Sequence, residues 1–174
     1  MSEKRRRIDQ ILDPAYVENL TGLELGELRD RRQLAADVES ELSYYRRMLH
    51  GRMDLLNFEL ARRRGDEKRS LIEALPEILG AGERAGGQTG RVRGEFDLAF
   101  AGDGNRPIDA ALQDDFLTHV YDLEVSELED ILTALTEAER EVSETRRSIQ
   151  VVFDTVQQVI SDRYRETVVG DLSD

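Results

Sequence analysis

Glu39, Ser43, Arg46, His50 and Asp54 recur a hundred residues further on as Glu139, Ser143, Arg146, Gln150 and Asp154. An Arg offers a planar fork that grips the O6 and N7 edge of guanine or a phosphate bidentately, and its flat face stacks on a base. Carboxylates such as Glu39, Asp54, Glu139 and Asp154 accept from the ring and amino N–H groups of guanine but repel phosphate. Together with Ser and an amide, these groups suit a ligand that combines guanine edges with phosphates. Two related copies suit a ligand that is itself two-fold symmetric. The competing reading is that they are ordinary surface charges of a coiled coil, worth a few tenths of a kcal/mol per pair. One copy would favour that reading; two copies in register favour the ligand.

The elements that must position these groups follow from the spacing. Steps of four, three, four and four residues keep five side chains within roughly 80° of arc on a helix turning about 100° per residue. Residues 23–64 laid over 123–164 give twelve identities without a gap, among them Leu23, Glu24, Glu27, Leu28, Asp30, Glu41, Arg47 and Arg63 with their counterparts. A repeat of this length means duplicated structure, here two copies of one long helix. The second copy carries five heptads, with Leu128, Leu135, Val142, Ile149 and Val156 at a and Ile131, Ala138, Thr145, Val152 and Val159 at d. The first matches at a with Leu28, Ala35, Leu42, Leu49 and Leu56, but its d set of Arg31, Val38, Tyr45, Arg52 and Glu59 is wetter. It reads as the weaker half.

In this frame each stripe falls at e, b, e, b and f, beside the apolar seam. Antiparallel helices set e opposite e, whereas parallel helices set e opposite g. Residues 65–122 are long enough to return the chain along a helix of about 55–60 Å, at about 1.5 Å per residue. The expected fold is therefore all-α: two long helices in an antiparallel coiled-coil hairpin, with short helices and a Gly-rich loop between them. Residues 1–174 should form a single elongated helical domain. Its expected site is a pseudo-two-fold groove with five polar groups on each wall.

Local signals place the rest. Residues 1–13 open with the basic run Lys4 to Arg7 and are expected to fray, until Asp13 and Pro14 offer a cap and a first helical position. A short helix is expected over residues 14–20, with a break at Thr21 and Gly22. The first long helix runs over about 25–64, with Gly65 as its stop. Its interior Gly51 costs about 1 kcal/mol against Ala and marks a close approach of ligand or backbone. Ser70 to Leu79 reads as a short amphipathic helix with Pro76 inside or ending it. Eight of the thirteen glycines lie between Gly80 and Gly104, which predicts a loop. Val92, Phe96, Leu98 and Phe100 suggest an extended piece, and Pro107 to Val120 another short helix. The second long helix is expected over about 126–166, capped by Ser126 with Glu129, and the tail after Gly170 to be disordered.

Composition narrows the class. The chain is 35% charged and 6% aromatic, with no Trp, which disfavours a thick globular core. It has no Cys, and its two histidines, His50 and His119, lie far apart, so neither a zinc thiolate site nor a metal cluster for dinucleotide hydrolysis is expected. No P-loop or nucleophile elbow appears, and an enzyme is not expected. A net charge of −13 argues against direct DNA binding and suits a basic protein partner. Without an apolar run of membrane-spanning length or a signal core, a cytoplasmic protein is expected, with no membrane attachment.

The spacing E-x3-S-x2-R-x3-Q-x3-D resembles the cyclic-di-GMP signature of the RsiG family of actinobacterial anti-sigma factors. Glu139, Ser143, Arg146, Gln150 and Asp154 match at every position; the first copy departs once, at His50. The resemblance implies an antiparallel pair of motif-bearing helices that binds a cyclic-di-GMP dimer, with no metal, and that when loaded sequesters the sporulation sigma factor WhiG. Neutral imidazole offers one donor and one acceptor on a rigid ring where Gln offers two donors and an acceptor on a flexible stem. The site is thus expected to have unequal halves, and a protonated His50 would add attraction for phosphate. The reading from a different class is a ligand-free coiled-coil scaffold that homodimerises.

Overall fold

The computed structural model describes residues 3–83 and 119–171, with side chains over 6–78 and 119–166. Among these residues it is all-α: α1 (Glu3–Leu12), α2 (Leu25–Arg64), α3 (Leu71–Glu83) and α4 (Val125–Asp171), with single 3-10 turns at Pro14–Tyr16 and Leu20–Gly22. The long helices α2 and α4 pack against each other. They start one hundred residues apart, where the duplicated Leu23-Glu24 and Leu123-Glu124 precede them.

The chain divides into two compact units, one of residues 1–43 with 143–174 and the other of residues 44–142. In the first unit, Leu28, Ala35 and Leu42 of α2 and Ile149 and Val156 of α4 are fully buried. These are a positions throughout. Leu20, Leu28, Val156 and Ile160 form a core cluster, with Val17, Leu23, Leu25 and Val159 packed on it. Arg32 of α2 donates to Gln157 of α4, and Arg29, three residues earlier, to Tyr164 further along. One number falls as the other climbs, so the helices are antiparallel.

Residues 3–12, expected to fray, are helical instead. Their alternation of charge hid two apolar residues at helical spacing, Ile8 and Ile11, and Ile11 is wholly removed from water. Arg7 adds a bidentate pair to Glu41 at 3.0 and 3.1 Å. Asp13 caps as expected, its Oδ1 accepting from Ala15 N–H at 2.9 Å with Pro14 next in line. The short helix expected over 14–20 is replaced by the two 3-10 turns, with Asn19 between them at φ 52°. Tyr16 Oη donates to the Arg31 carbonyl at 2.9 Å, which ties the first turn to α2.

The second unit is antiparallel on the same evidence, with Arg46 meeting Glu139 and Arg64 meeting Glu129. Leu49, Leu56, Leu128, Leu135 and Val142 fill its a positions, all fully buried. The first helix's d row is less wet than its residue types suggested, since Val38 in the first unit and Tyr45 and Glu59 in the second are buried with the a residues. Glu59 is fully buried because Arg62 grips it through two bonds of 2.8 Å and Arg63 through a third. Arg63 also donates to the carbonyls of Val120 at 3.0 Å, Tyr121 at 3.3 Å and Leu123, which fastens the approach to α4. The hydrogen bond from Arg62 outweighs the desolvation of burial and, with Arg63, holds the Glu59 carboxyl below the usual carboxylate range.

Gly65 ends α2 at φ 87°, with its N–H on Arg62 O and that of Asp66 on Ala61 O, the paired bonds of a Schellman stop. Ser70 and Glu73 cap α3 reciprocally, and α3 runs through Pro76 to Glu83, past the expected end at Leu79. At the start of α4 it is Glu127 that reaches back, to Glu124 N–H at 2.7 Å; Ser126 lies inside the helix and Glu129 pairs instead with Arg64. The expected cap was displaced by one whose first member is itself a Glu. The loop beyond Glu83, the extended piece at 92–100, the helix over 107–118 and the last three residues of the tail lie outside the described residues.

Gly51 marks no close approach of backbone, for a Cβ built there meets no atom within 4 Å. Gly51→Ala should therefore stabilise the protein by about 0.5–1 kcal/mol in denaturant unfolding, the ordinary gain from replacing Gly inside a helix. Glu59→Ala should cost about 2 kcal/mol at neutral pH, because it strands two arginines. A carboxyl held below its ordinary value of 4.5 stabilises above that pH and loses its contribution as pH falls through the folded value. The gap between Glu59→Ala and wild type should accordingly close in acid unfolding below about pH 4.

Candidate functional site

The ten motif residues divide between the two units. Glu39, Ser43, Ser143, Arg146, Gln150 and Asp154 fall in the first, and Arg46, His50, Asp54 and Glu139 in the second. The seam fixes what meets what. With a residues of both helices buried and the helices antiparallel, e positions of α2 flank e positions of α4.

In the first unit this brings Glu39 against Arg146, whose Nε donates to Glu39 Oε1 at 2.7 Å and to Ser43 Oγ at 2.6 Å. Ser43, one turn along α2, donates in turn to Glu39 Oε1 at 2.9 Å. In the second unit Arg46 Nε donates to Glu139 Oε1 at 2.9 Å. The two pairs are the same chemistry with the copies exchanged: the Glu of one repeat receives the Arg of the other. The departure at His50 lands on the same carboxylate, with Nε2 3.1 Å from Glu139 Oε1. Glu139 is thus shared by a guanidinium and an imidazole, where Glu39 is shared by a guanidinium and a hydroxyl.

Asp54, Gln150 and Asp154 sit exposed on their helices, and Ser143 is half-buried. In each unit the motif thus contributes a charged pair and its immediate neighbour, while Asp54, Gln150 and Asp154 face solvent. Among the described residues, no group of three or more His, Asp or Glu side chains converges as a metal site, and no helix is long and apolar enough to cross a membrane.

Four further residues lie on the same rows outside the motif. The e rows continue past it, to Phe153 on α4 and Arg32 on α2 in the first unit, and to Met53 on α2 and Leu132 on α4 in the second; all four are half-buried. The heptad frame that located the stripe already contained them. They fall outside the motif because identity between the copies defines it, and these positions differ between them.

The pairs are held loosely. Arg46 and Glu139 side chains are 40% and 20% exposed, Arg146 and Glu39 30% and 26%. Partly solvated pairs of this kind contribute about 0–1 kcal/mol. They orient the guanidiniums along the flank at little energetic cost to the fold.

Fold and flank define a class: an antiparallel helical hairpin bearing a duplicated, reciprocally paired polar motif beside its seam. Residues 14–79, which take in the first motif copy, match a family model described as RsiG-like. No protein with a curated description matches the chain.

Double-mutant cycles on Arg46–Glu139 and Arg146–Glu39 should give coupling energies of about 0.2–1 kcal/mol that shrink with added salt. A coupling above that range, insensitive to salt, would mean that the arginines are locked and unavailable to a ligand.

Proposed function

We propose that the protein is an anti-sigma factor that binds cyclic-di-GMP through its two E-x3-S-x2-R-x3-Q/H-x3-D motifs and, when loaded, sequesters a WhiG-like sigma factor to repress late developmental transcription. The observation that carries this reading is the reciprocal exchange of Glu and Arg between the copies. A coiled coil that needed only flanking charges has no reason to repeat Ser, Gln or His, and Asp at fixed offsets around each pair. A ligand with two guanines and two phosphates does. Arg46 and Arg146 would turn from Glu139 and Glu39 to guanine edges and phosphate. Asp54 and Asp154 would accept from guanine N–H groups, and Ser43, Ser143, Gln150 and His50 would complete the polar contacts. The role is one of binding rather than catalysis, in the cytoplasm.

The partner follows from charge. The chain's −13 surplus would compete for the basic groups with which a sigma factor holds DNA. Ligand bound along both helices would favour one arrangement of the paired helices, and so raise partner affinity to the extent that it prefers that arrangement.

Calorimetry with cyclic-di-GMP should show saturable binding, and Arg146→Ala or Asp154→Ala should weaken it by about a hundredfold, the scale of a lost bidentate or charged contact. A WhiG-like sigma factor should then be captured by the protein only when the nucleotide is present. A flat titration would reject the ligand; equal capture with and without it would reject the ligand-dependent clamp and leave the anti-sigma role standing.

A further inference from the structure

From the e rows we infer that Phe153 and Arg32 form a base-stacking and phosphate subsite in the first unit, for a purine nucleotide, which the second unit lacks; this rests on the nucleotide reading above. The register that sets Arg146 against Glu39 sets Phe153 against Arg32, one heptad further along α4 and one heptad back along α2. Arg32 Nη1 donates to Gln157 Oε1 at 3.1 Å, so its guanidinium lies against α4 one turn beyond Phe153. Among the described residues Arg32 forms no ion pair with a carboxylate, unlike Arg46 and Arg146. A half-buried cation that pairs with no carboxylate among the described residues therefore stands opposite a half-buried aromatic ring in the e rows. Both stand on the flank that carries Arg146, Gln150 and Asp154.

That combination has a chemistry of its own. An aromatic ring stacks on any base, and an Arg fork beside it takes the phosphoryl oxygens of the same nucleotide. In the second unit the corresponding positions are Met53 and Leu132, which offer apolar cover but neither ring nor charge. There Arg46 is already paired, and His50 shares its carboxylate. Two motif copies with different neighbours would hold their nucleotides unequally, the first unit more tightly. Exposure also argues for use: a Phe that served only the seam would gain more by facing it at a or d, where its ring leaves water.

The test uses the full chain and cyclic-di-GMP. Phe153→Met, which copies the second unit, should weaken calorimetric affinity about tenfold. Arg32→Gln should weaken it too and reduce its dependence on salt, whereas Met53→Leu should bind as wild type does. Because the chain has no Trp, Phe153→Trp supplies a single indole, whose emission should be quenched as nucleotide is added; Met53→Trp should respond less. Unfolding curves of each variant keep a loss of fold separate from a loss of contact, and the Phe153→Trp signal reads stacking even if Phe153→Met is unstable. If wild type binds and Arg146→Ala does not, yet Phe153→Met matches wild type and the Phe153→Trp emission is unmoved, the subsite is rejected and the ligand reading survives. If wild type itself does not bind, both fall.

Discussion

Burial of the a rows is the constraint on which everything else rests. In each unit the a side chains of α2 and α4 are fully removed from water, and each buried Leu, Ile or Val is worth about 1.5–3 kcal/mol. No flanking contact approaches the sum of these terms. Sliding one helix along the other by less than a heptad would expose the row, so the apolar seam sets the register. Register then dictates which e residues face each other, and from that come both Glu–Arg pairs and the juxtaposition of Phe153 with Arg32.

Strong apolar burial and weak polar pairing are thereby assigned to different faces of the same helices. The seam is strong, non-directional and dry. The flank is weak, directional and half-wetted, and its ion pairs contribute about 1 kcal/mol or less. The proposed binding role draws on that weakness, since a guanidinium committed to a strong internal partner could not be given up to a ligand. Glu59 shows the opposite arrangement within the same α2 helix. There a carboxylate is buried with three bonds from Arg62 and Arg63, while Arg63 reaches the carbonyls ahead of α4. That cluster is part of the scaffold.

Much of this was legible in residue order because it repeats with the period of the helix. The a rows, the antiparallel sense, the e placement of Glu39, Arg46, Glu139 and Arg146, and the Gly65 stop all follow from spacing and local backbone preference. Other features were hidden for identifiable reasons. The run Lys4 to Arg7 masked Ile8 and Ile11, because a dense charge pattern outweighs two apolar residues until a partner surface exists to bury them. The cap of α4 went to Glu127 in place of Ser126 with Glu129, since the helix begins at Val125 and leaves Ser126 inside its first turn. At Gly51 no protein atom lies within 4 Å of a built Cβ. The reason for a glycine there lies outside the packing of the hairpin.

The sequence by itself determined the two long helices, their seam and the row on which the motif lies, because periodicity is a local property that every residue carries. Only the tertiary structure decided who pairs with whom: that Glu39 takes Arg146, that Glu139 takes Arg46 and His50, that Arg32 reaches Gln157. Those outcomes join residues about a hundred positions apart, and at that separation no local pattern ranks one acceptor above another. Geometry ranks them, once burial of the seam has fixed which side chains come within hydrogen-bonding reach.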